Sequence, residues 1–326
     1  MRTRLTLLVL ILTVPLVGCE DGPPWRGAPP QTDESVAPEF GPVAAYNRRF
    51  LFLGAGTELS TAAVFDFTVL SDTTGTRRGA RIRIADPGWR TLLDEGWVMG
   101  PMREPWRLVP HGPLKMVVTE TGDLDALVHR DSLPTRLHLD ATLAEHGPDV
   151  GTRLVLRRAR LVLPDRTFQG VVLDAQLGRS VAPRFTSRVG AFPGTGTDTT
   201  TALPPTPIAR PGAEALLVAD GSYHAVLTTA SGGDLAWVRH AGADDVRAGV
   251  RIEPGAWTEG PDSIPSVWQV TSADGQLTGE LTHRSSDRAD LAGVEDAGTL
   301  VYALVSGWIE DRSARRDVVG ILRHVW

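Results

Sequence analysis

Residues 153–177 read RLVLRRARLVLPDRTFQGVVLDAQL. Two runs, Arg153–Leu163 and Thr167–Leu177, flank Pro164-Asp165-Arg166. A turn tripeptide between two such runs predicts an antiparallel hairpin. The same texture extends both ways. Leu137, Leu139, Ala141 and Leu143 alternate with Arg136, His138, Asp140 and Thr142. Leu277 and Leu281 alternate with Thr278, Glu280 and Thr282, and Val301, Ala303 and Val305 share a face. Period-two alternation marks half-buried antiparallel strands. Roughly fifteen or more such runs follow Arg48, too many for one small sandwich. Helical patterns are few. Asp86-Pro87 before Gly88–Glu95 offers an N-cap and a first-turn proline, and 122–130 and 287–296 each read as one or two turns.

The chain divides by composition. Residues 1–18 read as a signal peptide, with Arg2 and Arg4 ahead of an apolar run too short to span a bilayer. Residues 19–44 are a Pro/Gly-rich tether, stiffened by its prolines. Residues 45–189 form a first β-domain, 190–212 a Gly/Thr/Pro-rich linker, and 213–326 a second β-domain. Two landmarks suggest duplication. Trp106, a turn at His111-Gly112 and Leu114 are matched by Trp268, a turn at Asp274-Gly275 and Leu277. Asp165-Arg166 with Val171-Val172 is matched by Asp311-Arg312 with Val318-Val319.

Leu16-Val17-Gly18-Cys19 resembles the lipobox of bacterial lipoproteins, and Cys19 is the only cysteine. The resemblance implies lipidation of Cys19, hence a membrane partner and a place in the cell envelope. In that family an Asp after the cysteine tends to hold the protein at the inner membrane, so the resemblance, with Glu20 in that place, implies the outer membrane over the inner. Several classes are excluded by composition. The formal charge is -6 and falls to about -8 without Arg2 and Arg4, which argues against a nucleic-acid partner. A single cysteine leaves no disulfide framework and no cysteine metal site. Lys115, the only lysine, follows Leu114, so no Walker loop exists. No cofactor is expected, and no histidine pair has metal-ligand spacing.

The body resembles the two-barrel lipocalin-like family of carotenoid hydratases and AttH-like proteins. The residues that carry this are Pro105-Trp106-Arg107-Leu108, Leu137-His138-Leu139 and Phe168–Gly178 in the first half. In the second they are Gly233–Arg239, Ser266–Val270, Val305–Ile309 and Val319–Leu322. The resemblance implies an all-β chain of two antiparallel lipocalin-like domains in tandem, each a barrel or a strongly curved sheet, with an apolar isoprenoid or lipid-like ligand. Two features depart from it. Arg49–Leu53 lacks the tryptophan-rich motif of the first strand, and Ala175 follows Asp174 where family members carry histidine. The second departure bears on hydration chemistry.

Two carboxylates are candidate catalytic acids. Asp174 shares a face with Val172 and Gln176, and Asp66 shares one with Val64, Thr68 and Leu70. Burial in a dry cavity would raise the pKa of either. A solvated carboxylate is the simpler reading of both, and the sequence favours it. Trp106, Trp237, Trp268 and Trp308 are candidate ligand-binding residues, as cavity walls or sugar-stacking surfaces. His283 and His324 fall on inward faces. Ser222 and His224 lie two apart, but turn chemistry explains Asp220-Gly221-Ser222 better. No catalytic motif is assembled in the sequence. Three functions remain open: an apolar-ligand-binding lipoprotein, a carotenoid-hydratase-like enzyme, and a carbohydrate-binding or structural β-sandwich lipoprotein.

Overall fold

A computed structural model describes residues 43–54, 61–72, 76–99, 114–118, 124–130, 133–147, 152–180, 212–229, 234–260, 263–290 and 299–326. Cys19, the tether up to residue 42, Trp106 and residues 190–211 of the linker lie outside the described residues, while Val43 and Ala44, read as the end of the tether, open the first strand. The first nine strands are β1 (Val43–Gly54), β2 (Ala62–Asp72), β3 (Thr76–Ala85), β4 (Trp89–Met99), β5 (Leu114–Val118), β6 (Leu124–Arg130), β7 (Leu133–His146), β8 (Thr152–Val162) and β9 (Thr167–Ser180). The next nine are β10 (Gly212–Ala219), β11 (Tyr223–Thr228), β12 (Leu235–His240), β13 (Ala243–Ala248), β14 (Arg251–Trp257), β15 (Pro265–Thr271), β16 (Leu277–Asp290), β17 (Thr299–Asp311) and β18 (Ala314–Val325).

They build two antiparallel sheets of identical layout. The first runs β4-β3-β2-β1-β9-β8-β7-β6-β5 and the second β13-β12-β11-β10-β18-β17-β16-β15-β14. Each is a meander whose first strand pairs with its last, and each ladder between sequential neighbours is a hairpin pairing. This is a lipocalin-like strand order, repeated in tandem. The Asp165-Arg166 and Asp311-Arg312 turns occupy equivalent places, joining β8 to β9 and β17 to β18. The tryptophan landmark does not hold. Leu114 opens β5, whereas Leu277 opens β16, whose counterpart is β7.

No helix occurs among the described residues. The segment expected as a helix over 86–95 is a turn followed by β4, with Asp86 N donating to Gly88 O at 3.0 Å. Residues 124–130 are β6, and β16 runs on to Asp290. Pairing with a neighbouring strand overrides a weak local helix preference.

Each sheet curls so that its inner face buries itself. In the first, Phe50, Phe52, Phe65, Phe67, Ile82, Ile84, Leu139, Leu161 and Val172 form one core. In the second, Leu217, Tyr223, Val238, Trp268, Val270, Leu281, Val305 and Leu322 form another. A third core lies between the sheets. Leu51, Leu53, Val64, Leu156 and Leu173 of the first meet Leu216, Trp237, Tyr302, Leu304 and Ile321 of the second. The central strands of both sheets are therefore buried on both faces, and alternation there separates two interiors rather than inside from outside.

Candidate functional site

The interior of the first barrel carries charge in an apolar setting. On β1, Phe50 and Phe52 face inward, so period two turns Arg48 inward as well. On β9, Val172 faces inward and carries Asp174 and Gln176 with it, and Arg157 of β8 follows Ala159 and Leu161. Cross-strand register sets Gln176 beside Arg48 and Asp174 beside Phe50. Arg48 grips Asp174 with two bonds, Nε to Oδ1 at 3.0 Å and Nη2 to Oδ2 at 2.9 Å. Its guanidinium also lies 5.0 Å from the Phe50 ring centre, a cation–π contact. Gln176 Nε2 donates to Asp174 Oδ2 at 3.4 Å. Arg157 Nη1 donates to Thr142 Oγ1 at 2.9 Å, while its Nε stands 3.7 Å from Asp174 Oδ2, too far for a hydrogen bond. Two buried atoms in this cluster, Arg157 Nε and Gln176 Oε1, have no hydrogen-bond partner. Asp174 is fully buried, but the Arg157 side chain is 22% exposed, so the cluster reaches solvent on the barrel side.

The opposite face of β1 docks the second sheet through a separate network. Asp66 accepts from Asn47 Nδ2 at 2.7 Å, Arg49 Nε at 3.2 Å and the Tyr302 hydroxyl at 3.3 Å. Arg323 Nε lies 3.8 Å away, and Arg49 Nη1 also bonds Glu214 across the interface. Toward the edge, Arg83 bridges Asp94 at 2.6 Å and Asp287 at 2.5 Å. Trp89 stacks on Tyr302 with ring centres 6.4 Å apart. Burial by itself raises the pKa of Asp66, but Arg49, Arg323 and the Asn47 hydrogen bond outweigh it and hold Asp66 below the usual carboxylate range. Asp66 thus sits as an acceptor among buried arginines between the sheets.

In the second barrel, Trp268 Nε1 donates to His324 Nδ1 at 3.0 Å. His324 packs on Trp326 at 5.0 Å between ring centres, and Trp326 on Trp257 at 5.4 Å. Burial, helped by Arg323, pushes the His324 imidazole down to about 4. At the end of this barrel formed by the β17–β18 turn, a cavity of about 360 Å³ is lined by Asp245, Arg247, Asp274, Gln276 and Arg312 among others. Its lining mixes charged side chains with Val246, Ala248 and Ala273, and its charges are paired: Arg247 and Arg312 each donate to Asp245 at 2.9 Å. It does not suit an apolar ligand.

The residues singled out in the sequence therefore scatter. Asp174 lies inside the first barrel and Asp66 between the sheets, so the expectation that both are solvated is corrected. A carboxylate on the face opposite an apolar core looks solvent-facing until a second sheet covers it. Trp268 lines the second barrel, Trp237 is buried between the sheets beside His146 at 5.7 Å, and Trp308 lies under the Arg315 guanidinium at 4.2 Å. Trp257 is the one exposed tryptophan among the described residues. Arg48, Arg157 and Gln176 were not singled out. Their signal is the polar run Asn47-Arg48-Arg49 directly before Phe50-Leu51-Phe52-Leu53, charges on both faces of a strand that is otherwise apolar on both. Among the described residues, no group of three His, Cys, Asp or Glu side chains could hold a metal ion.

Two tandem nine-stranded antiparallel sheets of one strand order make a lipocalin-like fold. No family model matches the sequence, and no curated protein matches it. Solved structures do. A candidate AttH of Nitrosomonas europaea is similar at a TM-score of 0.52 and 11% identity, over 87% of this chain and 93% of its own. The kievitone hydratase of Nectria haematococca is similar at 0.51 and 11% identity, over 90% and 92%. At this identity the likeness is one of fold.

Proposed function

We propose that this is an envelope lipoprotein, anchored through lipid on Cys19, whose first barrel holds an apolar ligand. The observation that carries the reading is the polar cluster inside that barrel. A structural core leaves few buried polar atoms without partners, because each costs about 1–3 kcal/mol. Arg157 Nε and Gln176 Oε1 are two such atoms, side by side with an ion pair and next to a phenylalanine core; Arg83 Nε and Arg323 Nε are others, between the sheets. The network on the other face of the same strands already accounts for docking the second sheet, so the interior cluster is not needed there. The lipobox at Cys19 and the tandem lipocalin-like fold support the rest of the reading.

The burial of Asp174 in that interior favours a second reading, a hydratase-like enzyme of the same fold. A general acid must have a proton to give, and both oxygens of Asp174 accept from Arg48. The arrangement holds a ligand's polar end better than it protonates an alkene.

The test is binding of Nile red, a neutral apolar dye, by the full chain. Ala159 faces the first interior and Ala303 the second. Ala159→Phe, which fills the first barrel, is expected to weaken dye binding at least about tenfold, or about 1.4 kcal/mol. Ala303→Phe is expected to leave it within about twofold. Equal effects of the two substitutions would move the site out of the first barrel.

A further inference from the structure

We propose that the cavity at the β17–β18 end of the second barrel is a binding site for a neutral sugar, one pyranose residue held by its hydroxyls. The inference goes beyond the ligand of the first barrel and does not rest on it.

The second sheet leaves this end open. β13 is an edge strand, paired with β12 alone among the described residues. Between it, the β15–β16 turn and the β17–β18 turn lies the cavity of about 360 Å³. That volume is in the range of small-molecule sites. Arg247 and Asp245 of β13 turn inward, opposite Ala236 and Val238 of the second core. The Arg247 side chain is 5% exposed, so its donors have little water to fall back on. Its Nη2 donates to Asp245 at 2.9 Å and also to Asp311. Its Nη1 stands 3.6 Å from Asp274 Oδ2, too far for a hydrogen bond. Asp274 spends Oδ1 on its own turn, accepting from Ser272 Oγ and from Gln276 N at 3.0 Å. Asp274 Oδ2 and the Gln276 side-chain amide have no hydrogen bond among the described residues.

An unused donor and an unused acceptor 3.6 Å apart are bridged by one atom that both accepts and donates. A hydroxyl oxygen does this. A carboxylate only accepts, an ammonium only donates, and an amide divides the two roles between two atoms. Water makes the same bridge, but the cavity exceeds one water's share of about 30 Å³ many times over. A sugar brings several such oxygens fixed on one ring, so a second hydroxyl reaches Gln276 without further loss of freedom. The charges also fit a neutral ligand. Asp245 and Asp274 stand in the lining against Arg247 and Arg312. Behind them Asp311 is held by Arg247, and Arg316, on the inward face of β18, lies over the Tyr223 ring at 4.9 Å. Asp244 points to the other face of β13 and takes Arg239 at 2.9 Å. An added anion would meet Asp274, and an added cation Arg247. Val246, 46% exposed, with Ala248 and Ala273, gives the C–H side of a sugar ring an apolar rest.

The experiment is titration calorimetry of the full chain carrying Cys19→Ser, so that no detergent with a sugar head group is present. The probes are glucose, galactose, mannose and N-acetylglucosamine. At least one is expected to bind with a dissociation constant of about 1 mM or tighter, and its uronate and amino-sugar analogues at least about tenfold more weakly. Asp274→Asn keeps an acceptor for the turn and replaces the second one by a donor. It is expected to weaken binding at least about tenfold, and Gln276→Ala about threefold or more. Both side chains are exposed, so both variants should unfold at the parent's urea midpoint, which separates lost binding from lost fold. Binding of none of the sugars, a preference for the uronate or the amino sugar, or an affinity that survives both substitutions would overturn the inference. Dye binding by the first barrel is read separately and stands or falls on its own.

Discussion

Replacing Asp66 by alanine is expected to cost about 3–5 kcal/mol of unfolding free energy, the range for removing one partner of a buried ion pair. Asp66 sits where the two sheets meet, with Arg49 on its own sheet and Arg323 and Tyr302 on the other. Without it, two buried guanidiniums face each other with Glu214 as the remaining near acid. A domain's whole stability is about 5–15 kcal/mol, so the loss would be visible as a separate early transition or a collapse of the main one. Urea unfolding of the parent and the variant measures it. Asp140→Ala provides the contrast. Asp140 pairs with Arg160 at 3.1 Å at the surface, and such pairs contribute about 0–1 kcal/mol. If Asp66→Ala costs no more than Asp140→Ala, the network does not lock the sheets. The pH dependence has a definite sign. The folded pKa of Asp66 is lowered, so its contribution is complete above the unfolded value and is lost as pH falls through the folded one.

His324 sets a second, milder acid limb. The folded imidazole is held near 4 against 6.5 for the ordinary value, by burial first and Arg323 second. Between those pH values the unfolded chain binds a proton there and the folded chain does not. Stability is therefore full above about 6.5 and falls by about 3 kcal/mol on the way to pH 4, at 1.36 kcal/mol per unit of difference. His146, His224 and His283 are lowered by burial in the same direction, so the absolute slope belongs to several groups. The difference between the parent and His324→Gln isolates one. Glutamine keeps an acceptor for Trp268 Nε1 and removes the titration. Denaturant midpoints from pH 7 to pH 4 should fall less in the variant. Parallel curves would show that His324 does not titrate in this window.

Much of the fold was legible in the sequence because strands announce themselves by period. The Pro164-Asp165-Arg166 hairpin forms as read, with Leu163 N bonded to Arg166 O at 2.8 Å. Asp220-Gly221-Ser222 is a turn, with Ser222 Oγ on Asp220 at 2.6 Å. His324 faces the barrel, as its place after Val318, Gly320 and Leu322 required. The site was less legible. Alternation shows which residues share a face, but it assigns a face to core or solvent only where one side is wet. In β1, β2 and β9 neither side is. Asp66 and Asp174 therefore read as surface residues, and the arginines that hold them come from β1, β8 and β18, distant in sequence: Arg48 is 126 residues from Asp174. No local pattern encodes such a pairing. The segment at 86–95 failed for a different reason: its Asp-Pro-Gly start serves a tight turn as well as a helix cap, and β3 supplies the strand partner that decides between them.

The central claim is that the first barrel carries a ligand. It is tested most directly by native mass spectrometry of the full chain recovered from a bacterial envelope, with organic extraction of the same sample. The account predicts one apolar adduct per chain, released on extraction, present in the Ala303→Phe variant and lost from Ala159→Phe. A chain mass with no adduct in the parent, together with no dye taken up by it, would contradict the claim.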